Sequence, residues 1–294
     1  MIEPTPLADP APLADPAPLG DPAPLADLAP LGDPVPVTPD GHPPEHWAAA
    51  RAAAERLDLA TLARRSGLGD GDPLIVLAAH PDDETLGLGR LIHRWAAERG
   101  PVSAIVASAG EACLDHVGTR PPDLAERRLR EWRAGTTELG VSRWHTLGLP
   151  DGSLAGCQPA LVAALGMVAE DLLTTHHRVL LAAPWRRDPH PDHRAVGRAA
   201  GAVGRRLHLP VVEFGVWMTY WSDPSELAED RRRLAVLETD ASDDEAHRRA
   251  CAAFVTQLES LVPGHGPVVP PSMLAHHHEQ LLVLPAQPGR KTAR

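Results

Sequence analysis

Leu74-Ile75-Val76-Leu77-Ala78-Ala79 runs straight into His80-Pro81-Asp82-Asp83-Glu84, and this junction decides the fold. Six apolar residues behind the turn-like Gly69-Asp70-Gly71-Asp72 predict a buried strand. An imidazole and two adjacent carboxylates then stand just past the strand's carboxyl end, where open α/β sheets bind their ligands. A second junction has the same form: Val179-Leu180-Leu181-Ala182-Ala183 leads into Asp188-Pro189-His190-Pro191-Asp192-His193. Two such clusters behind two strands predict one shared centre.

Outward from these junctions, apolar runs alternate with helix-favouring stretches. Strands are expected at 74–79, 102–108, 144–149, 179–183 and 210–218, and helices at about 84–99, 122–139, 158–175 and 193–206. Strand, helix, strand in series with right-handed crossovers gives a Rossmann-like α/β fold, a mostly parallel sheet with helices on both faces. Beyond Trp221 the pattern loosens into a strand at 234–238, a helix from about Ser242 to Leu258, a Pro/Gly-rich loop at 263–271 and an apolar run from Leu281 to Leu284. Ahead of the domain, the Ala-rich stretch from Glu45 to about Arg65 predicts one helix packed on the outside. The resulting division is a tail at 1–40, a helical lead-in at 41–71, the α/β domain at 72–285 and a short tail at 286–294.

Residues 6–37 repeat with period six, Pro-Leu-Ala-Asp-Pro-Ala, broken once at Leu28. Proline this dense excludes helix and central strand. Six is twice the polyproline II turn, so the aspartates would line one edge of an extended, solvated tail, disordered by composition. Residues 1–40 hold seven of the 39 acidic side chains and no Lys or Arg, so the net charge of −11 falls to −4 for the rest of the chain. A nearly balanced body offers no basic face for nucleic acid. The apolar runs fall short of the roughly 20 residues of a membrane span, and Met1-Ile2-Glu3-Pro4 is not a signal sequence, so a cytoplasmic protein is expected. Cys113, Cys157 and Cys251 are too scattered for a disulfide framework or a thiolate metal site and read as small buried residues.

Two imidazoles and a carboxylate around an open coordination position describe a catalytic zinc site, whose bound water loses a proton near neutral pH. His80, Asp83 and His193 fit that count. Asp82 and Asp83 diverge in a turn, so one can hold metal while the other serves as general base, and spacing alone does not choose between them. His190, three residues before His193, can stand beside the metal and donate to a developing oxyanion, with Asp192 orienting an imidazole from behind. Each residue taken singly is explained as a cap or a packed side chain; two His/Asp clusters at equivalent strand ends are not.

Ala79-His80-Pro81-Asp82-Asp83-Glu84 and His190-Pro191-Asp192-His193 resemble the paired motifs of the PIG-L/LmbE-like metal-dependent de-N-acetylases, over roughly 72–285. That family includes N-acetylglucosaminyl-phosphatidylinositol de-N-acetylases, deacetylases of mycothiol and bacillithiol biosynthesis, and antibiotic-tailoring deacetylases. The resemblance implies that His80, Asp83 and His193 bind one Zn2+, that Asp82 is the base, that His190 stabilises the oxyanion or protonates the amine, and that Asp192 supports His190. Arg128-Leu129-Arg130-Glu131 looks like the family's Arg-x-x-Glu helix, whose arginine faces substrate. Leu149-Pro150-Asp151-Gly152 resembles a loop whose aspartate, here Asp151, binds sugar hydroxyls. Leu88, in Gly87-Leu88-Gly89, departs from the glycine that many members carry.

The activity implied is hydrolysis of an acetyl or other acyl group from the 2-amino group of a glucosamine-type sugar in a small glycoconjugate. An amidase acting on a thiol conjugate would use the same chemistry, and a non-catalytic sugar-binding module is the alternative outside the enzymes. Oxygen and nitrogen donors also accept other divalent metals. Gly87-Leu88-Gly89 lacks the third glycine of a dinucleotide loop. His276-His277-His278 reads as a solvated cluster, and Trp185-Arg186-Arg187 either borders the pocket or packs.

Overall fold

The computed structural model describes residues 40–285. The repeat of residues 6–37 and the tail from 286 lie outside the described residues. Eight strands form one sheet: β1 (Glu55–Leu57), β2 (Leu74–Ala78), β3 (Val102–Val106), β4 (Arg143–Thr146), β5 (Leu180–Pro184), β6 (Val211–Phe214), β7 (Leu234–Leu237) and β8 (Leu281–Val283). Their order is β1-β7-β8-β6-β5-β2-β3-β4. Every pairing is parallel except those of β8, which runs antiparallel to both β6 and β7. The helices are α1 (Ala48–Ala53), α2 (Leu59–Arg65), α3 (Asp83–Glu98), α4 (Leu124–Glu138), α5 (Gln158–Leu173), α6 (Pro191–Leu207), α7 (Met218–Trp221), α8 (Ala241–Cys251), α9 (Val255–Leu258) and α10 (Pro271–Leu274).

The expected mostly parallel α/β sheet is what these residues build. β2 shows why its apolar run is unbroken: Leu74, Val76 and Ala78 face Leu88, Leu91 and Trp95 of α3 and Trp132 of α4, while Ile75 and Leu77 face Leu161 and Leu165 of α5 and Val196 and Val203 of α6. A strand covered on both faces has no solvent side to make polar. From β2 the chain winds outward through α3 to β3 and β4, then crosses back over β2 to β5. The loops after β2 and β5 therefore part in opposite directions and leave a crevice between them. Gly87 lets α3 approach that end of the sheet, because a Cβ there would stand 2.5 Å from the Phe214 ring and 2.8 Å from the Gly215 carbonyl oxygen.

Several expectations change. The helix expected over 45–65 is broken by β1, whose three residues pair with Ala235, Val236 and Leu237, and it is not an outer layer, since Trp47, Leu57 and Leu62 are buried. The strand expected to reach 218 ends at Phe214, and the helix expected over 242–258 ends at Cys251 before the separate turn of α9. His276 and His277 are buried rather than solvated. Their backbone carbonyls accept Arg51 Nη2 and Arg90 Nη1 at 2.8 Å each. The three cysteines are only partly buried. Trp185 packs: it is fully buried and donates Nε1–H to Asp230 Oδ2 at 2.9 Å. One helical run, Leu154–Leu173, does reach membrane length and apolarity, but Leu161, Leu165, Ala169 and Leu172 place one side of it on the sheet's core.

Candidate metal centre and its pocket

The two polar clusters occupy the loops after β2 and β5. In the first, Asp83 opens α3 and its Oδ2 accepts the backbone N–H groups of Ala79 at 3.0 Å and His80 at 2.8 Å, drawing the loop over the strand end. This leaves Asp82 at φ 137°, ψ −27°, a backbone conformation that costs a non-glycine residue on the order of 1–3 kcal/mol. In the second, His190 caps α6 and its Nδ1 accepts the N–H of Asp192 at 3.3 Å. Pro191 follows as the first helical residue, where a missing N–H costs nothing. One turn further on, His193 is completely buried.

His80, Asp83 and His193 converge. His193 Nε2 lies 3.1 Å from Asp83 Oδ1 and 3.3 Å from His80 Nδ1, and His80 Nδ1 lies 3.6 Å from Asp83 Oδ2. Tetrahedral zinc with bonds of about 2.0–2.1 Å separates its ligand atoms by roughly 3.3–3.4 Å. The set fits a zinc-sized divalent ion. His80, His190 and His193 also bring donor atoms within 4.8 Å of one another, as do His80, Asp151 and Asp192. Asp151 and Asp192 meet the opposite nitrogen of His80, Nε2, at 3.0 and 3.5 Å, and His190 gives its Nδ1 to α6.

Both imidazoles of this set are backed by carboxylates, the arrangement that fixes tautomer and ring orientation in metal sites. Behind His80 stand Asp151 and Asp192; behind His193, Asp188 Oδ1 lies 3.1 Å from Nδ1. Asp192 therefore backs His80 and not His190, and its oxygens also accept the N–H groups of Gly152 at 2.8 Å and Leu154 at 3.1 Å. Asp151 is likewise engaged, with His80 and with the N–H of Ala112 at 2.8 Å. Asp188 has no role in the sequence reading; its place at the head of the second cluster was the available signal. Burial alone would lower both imidazoles, yet Asp151, Asp192 and Asp83 hold His80 well above its ordinary value, and Asp83 with Asp188 raises His193 to about 9. Such a concentration of anionic groups is the environment a divalent cation offsets.

Asp82 stands apart from this set. Burial pushes its carboxyl up to about 7, against the pull of Arg128, whose Nη2 is 3.5 Å away. Arg128 is itself buried and donates to the carbonyl oxygens of Gly110 at 2.7 Å and Pro81 at 3.1 Å. Gly110, at φ 66°, admits it: a Cβ there would lie 1.9 Å from Arg128 Nη1. His190 is driven the other way, down to about 2, by burial and by His193 and His80. Its ring is neutral with Nδ1 as acceptor, so Nε2 carries the proton, a donor suited to a developing oxyanion. Glu84 is fully buried, raised to about 8 by desolvation, and its Oε2 has no partner among the described residues.

The centre opens into a cavity of about 540 Å³ that His80, Asp82, Asp83, Arg128, Asp151 and His190 line at its polar end. Among known proteins, residues 75–203 match the PIG-L family, GlcNAc-PI de-N-acetylase. A 1D-myo-inositol 2-acetamido-2-deoxy-α-D-glucopyranoside deacetylase from Saccharomonospora viridis is 30% identical over 189 residues, 57% of this chain and 68% of that protein. The like-named protein of Kineococcus radiotolerans is 30% identical over 178 residues, 50% of this chain and 48% of its own. Deacetylase 2 of the same description from Saccharopolyspora erythraea is 36% identical over 92 residues, 28% of this chain and 34% of its own. The chain thus spans less than half the length of the last two relatives.

Proposed function

The chain belongs to the PIG-L family of GlcNAc-PI de-N-acetylases, and on that premise we propose that it is a metal-dependent hydrolase that removes an acetyl group from the 2-amino group of a glucosamine-type sugar in a small glycoconjugate. The observation that supports this reading is the convergence of His80, Asp83 and His193, with donor atoms 3.1–3.6 Å apart, beside the separate buried carboxyl of Asp82. When bound, the ion supplies a Lewis acid that acidifies water and polarises a carbonyl.

The chain's own residues account for the proton movements. Asp82 takes a proton from the attacking water as its oxygen bonds to the amide carbon, and a carboxyl held near 7 is matched to that task at neutral pH. His190 Nε2–H donates to the oxyanion that forms. The C–N bond then breaks with its electron pair on nitrogen, and the proton on Asp82 passes to the departing amine. Asp151, Asp188 and Asp192 hold the imidazoles, and Arg128 holds Asp82. One Zn2+ per chain and a cytoplasmic location complete the proposal; the three free thiols suit a reducing compartment.

The test is an assay of the metal-loaded full chain on a panel of N-acetylglucosaminides, the inositol conjugate among them. Primary amine and acetate should appear in equal amounts, and a chelator should stop both. Release that survives chelation, or no release from any substrate, counts against the reading.

A further inference from the structure

Beyond the candidate metal centre, the cavity changes character. Its outer wall is formed by Trp217 and Trp221, with Val262 and Val268 on the loop after α9 and Leu114 and Val117 on the loop after β3. The two indoles stack on each other, centroids 4.1 Å apart and planes 15° apart, and both remain partly open to solvent. The platform is tied to the centre: the Trp217 N–H donates to Asp188 Oδ2 at 3.2 Å, and the other oxygen of Asp188 meets His193.

Polar groups are sparse on this wall. His116 and His265 stand at its exposed rim. Gln257, 1% exposed, gives Nε2–H to Thr256 Oγ1 at 3.0 Å, and its Oε1 has no partner among the described residues. A ring bearing hydroxyls all around could lay its C–H face on an indole, but its outward hydroxyls would find few partners on this wall, and a buried hydroxyl without a partner is costly. An aryl or long alkyl group would bury apolar surface there and stack on the platform.

We infer that the Trp217–Trp221 wall is a subsite for an apolar aglycone, aryl or alkyl, so that the preferred substrate is a hydrophobic N-acetylglucosaminide and not a cyclitol one. This rests on the deacetylase reading for the orientation of the sugar, with the acetamido group at the metal end and the glycosidic substituent on the indoles.

The experiment compares kcat and KM of the metal-loaded full chain on the methyl, myo-inositol, octyl and phenyl N-acetylglucosaminides. KM for the phenyl and octyl glycosides should be about tenfold below that for the methyl and inositol ones, with similar kcat, the size of one good aromatic contact. Trp221→Ala should collapse that ratio to within about threefold, and Trp221→Phe, which keeps a ring and guards against misfolding, should retain most of it. A lowest KM for the inositol glycoside, or an unchanged ratio in Trp221→Ala, overturns the subsite. If no glycoside is hydrolysed, the deacetylase reading is what fails. Calorimetric titration with the phenyl and methyl glycosides then decides the subsite alone: tighter phenyl binding that Trp221→Ala abolishes supports it, and equal affinities overturn it.

Discussion

Asp188 Oδ1 lies 3.1 Å from the Nδ1 of His193, with both side chains completely buried. The same carboxylate accepts the backbone N–H of His190 at 3.0 Å and of Trp217 at 3.2 Å, so one side chain sets the ring plane of the proposed ligand His193 and joins two loops. Asp188→Asn should weaken metal binding by about 10–100-fold, the usual effect of losing such a backing group. Chelator competition on the purified variant measures it; unchanged affinity would mean the contact is only structural.

Removing a ligand should act differently from removing its support. His80→Ala and His193→Ala should each lower metal content by elemental analysis to well under one ion per chain, whereas Asp82→Ala should keep the ion and lose about 10²–10⁴ in kcat. Full metal content in either histidine variant would refute the ligand assignment.

Asp82 stores backbone strain at φ 137°. Asp82→Gly should therefore lose as much kcat as Asp82→Ala and at the same time stabilise the fold by about 1–3 kcal/mol, seen as a higher Tm. A lower Tm would show that the carboxylate's contacts outweigh the strain.

Arg128 lowers the Asp82 carboxyl against its burial. In Arg128→Met that pull is gone, the base stays protonated to higher pH, and the acid limb of the kcat/KM profile should move up by about one unit. An unmoved limb would assign that limb to another group.

Burial pushes His247 down to about 4 and His277 down to about 3. Unfolded histidine takes a proton near 6.5, so below that pH the unfolded chain binds protons that the folded one refuses. Stability is then lost as pH falls from about 6.5 toward these values, at roughly 1.4 kcal/mol per pH unit for each ring. Urea midpoints of the parent and of His277→Gln, followed from pH 7 to 4, should diverge in that direction, the parent falling faster.

The strands and helices flanking the centre were legible because β2, α3, β5 and α6 each carry their own pattern, and the chemistry sits at the joints. β1 was not: Glu55-Arg56-Leu57 lies inside an Ala/Arg stretch with strong helix preference, and only its pairing with Ala235–Leu237 makes it a strand. Tertiary pairing overrides local propensity there. The donor residues were readable as types, but the backing of His80 by Asp192 depends on how the loops fold. His276 and His277 misled because polar composition predicts exposure, whereas Arg51 and Arg90 bury that turn by capturing its carbonyls.

β8 lies between β6 and β7, yet it is the last of the eight strands to be synthesised. Until Leu281–Val283 emerge from the ribosome, both neighbours present bare edges, which are ready templates for wrong pairing. A growing chain can thus assemble the β4-β3-β2-β5-β6 half with the proposed metal ligands early, while the β1-β7 half waits on three residues that follow it in the chain.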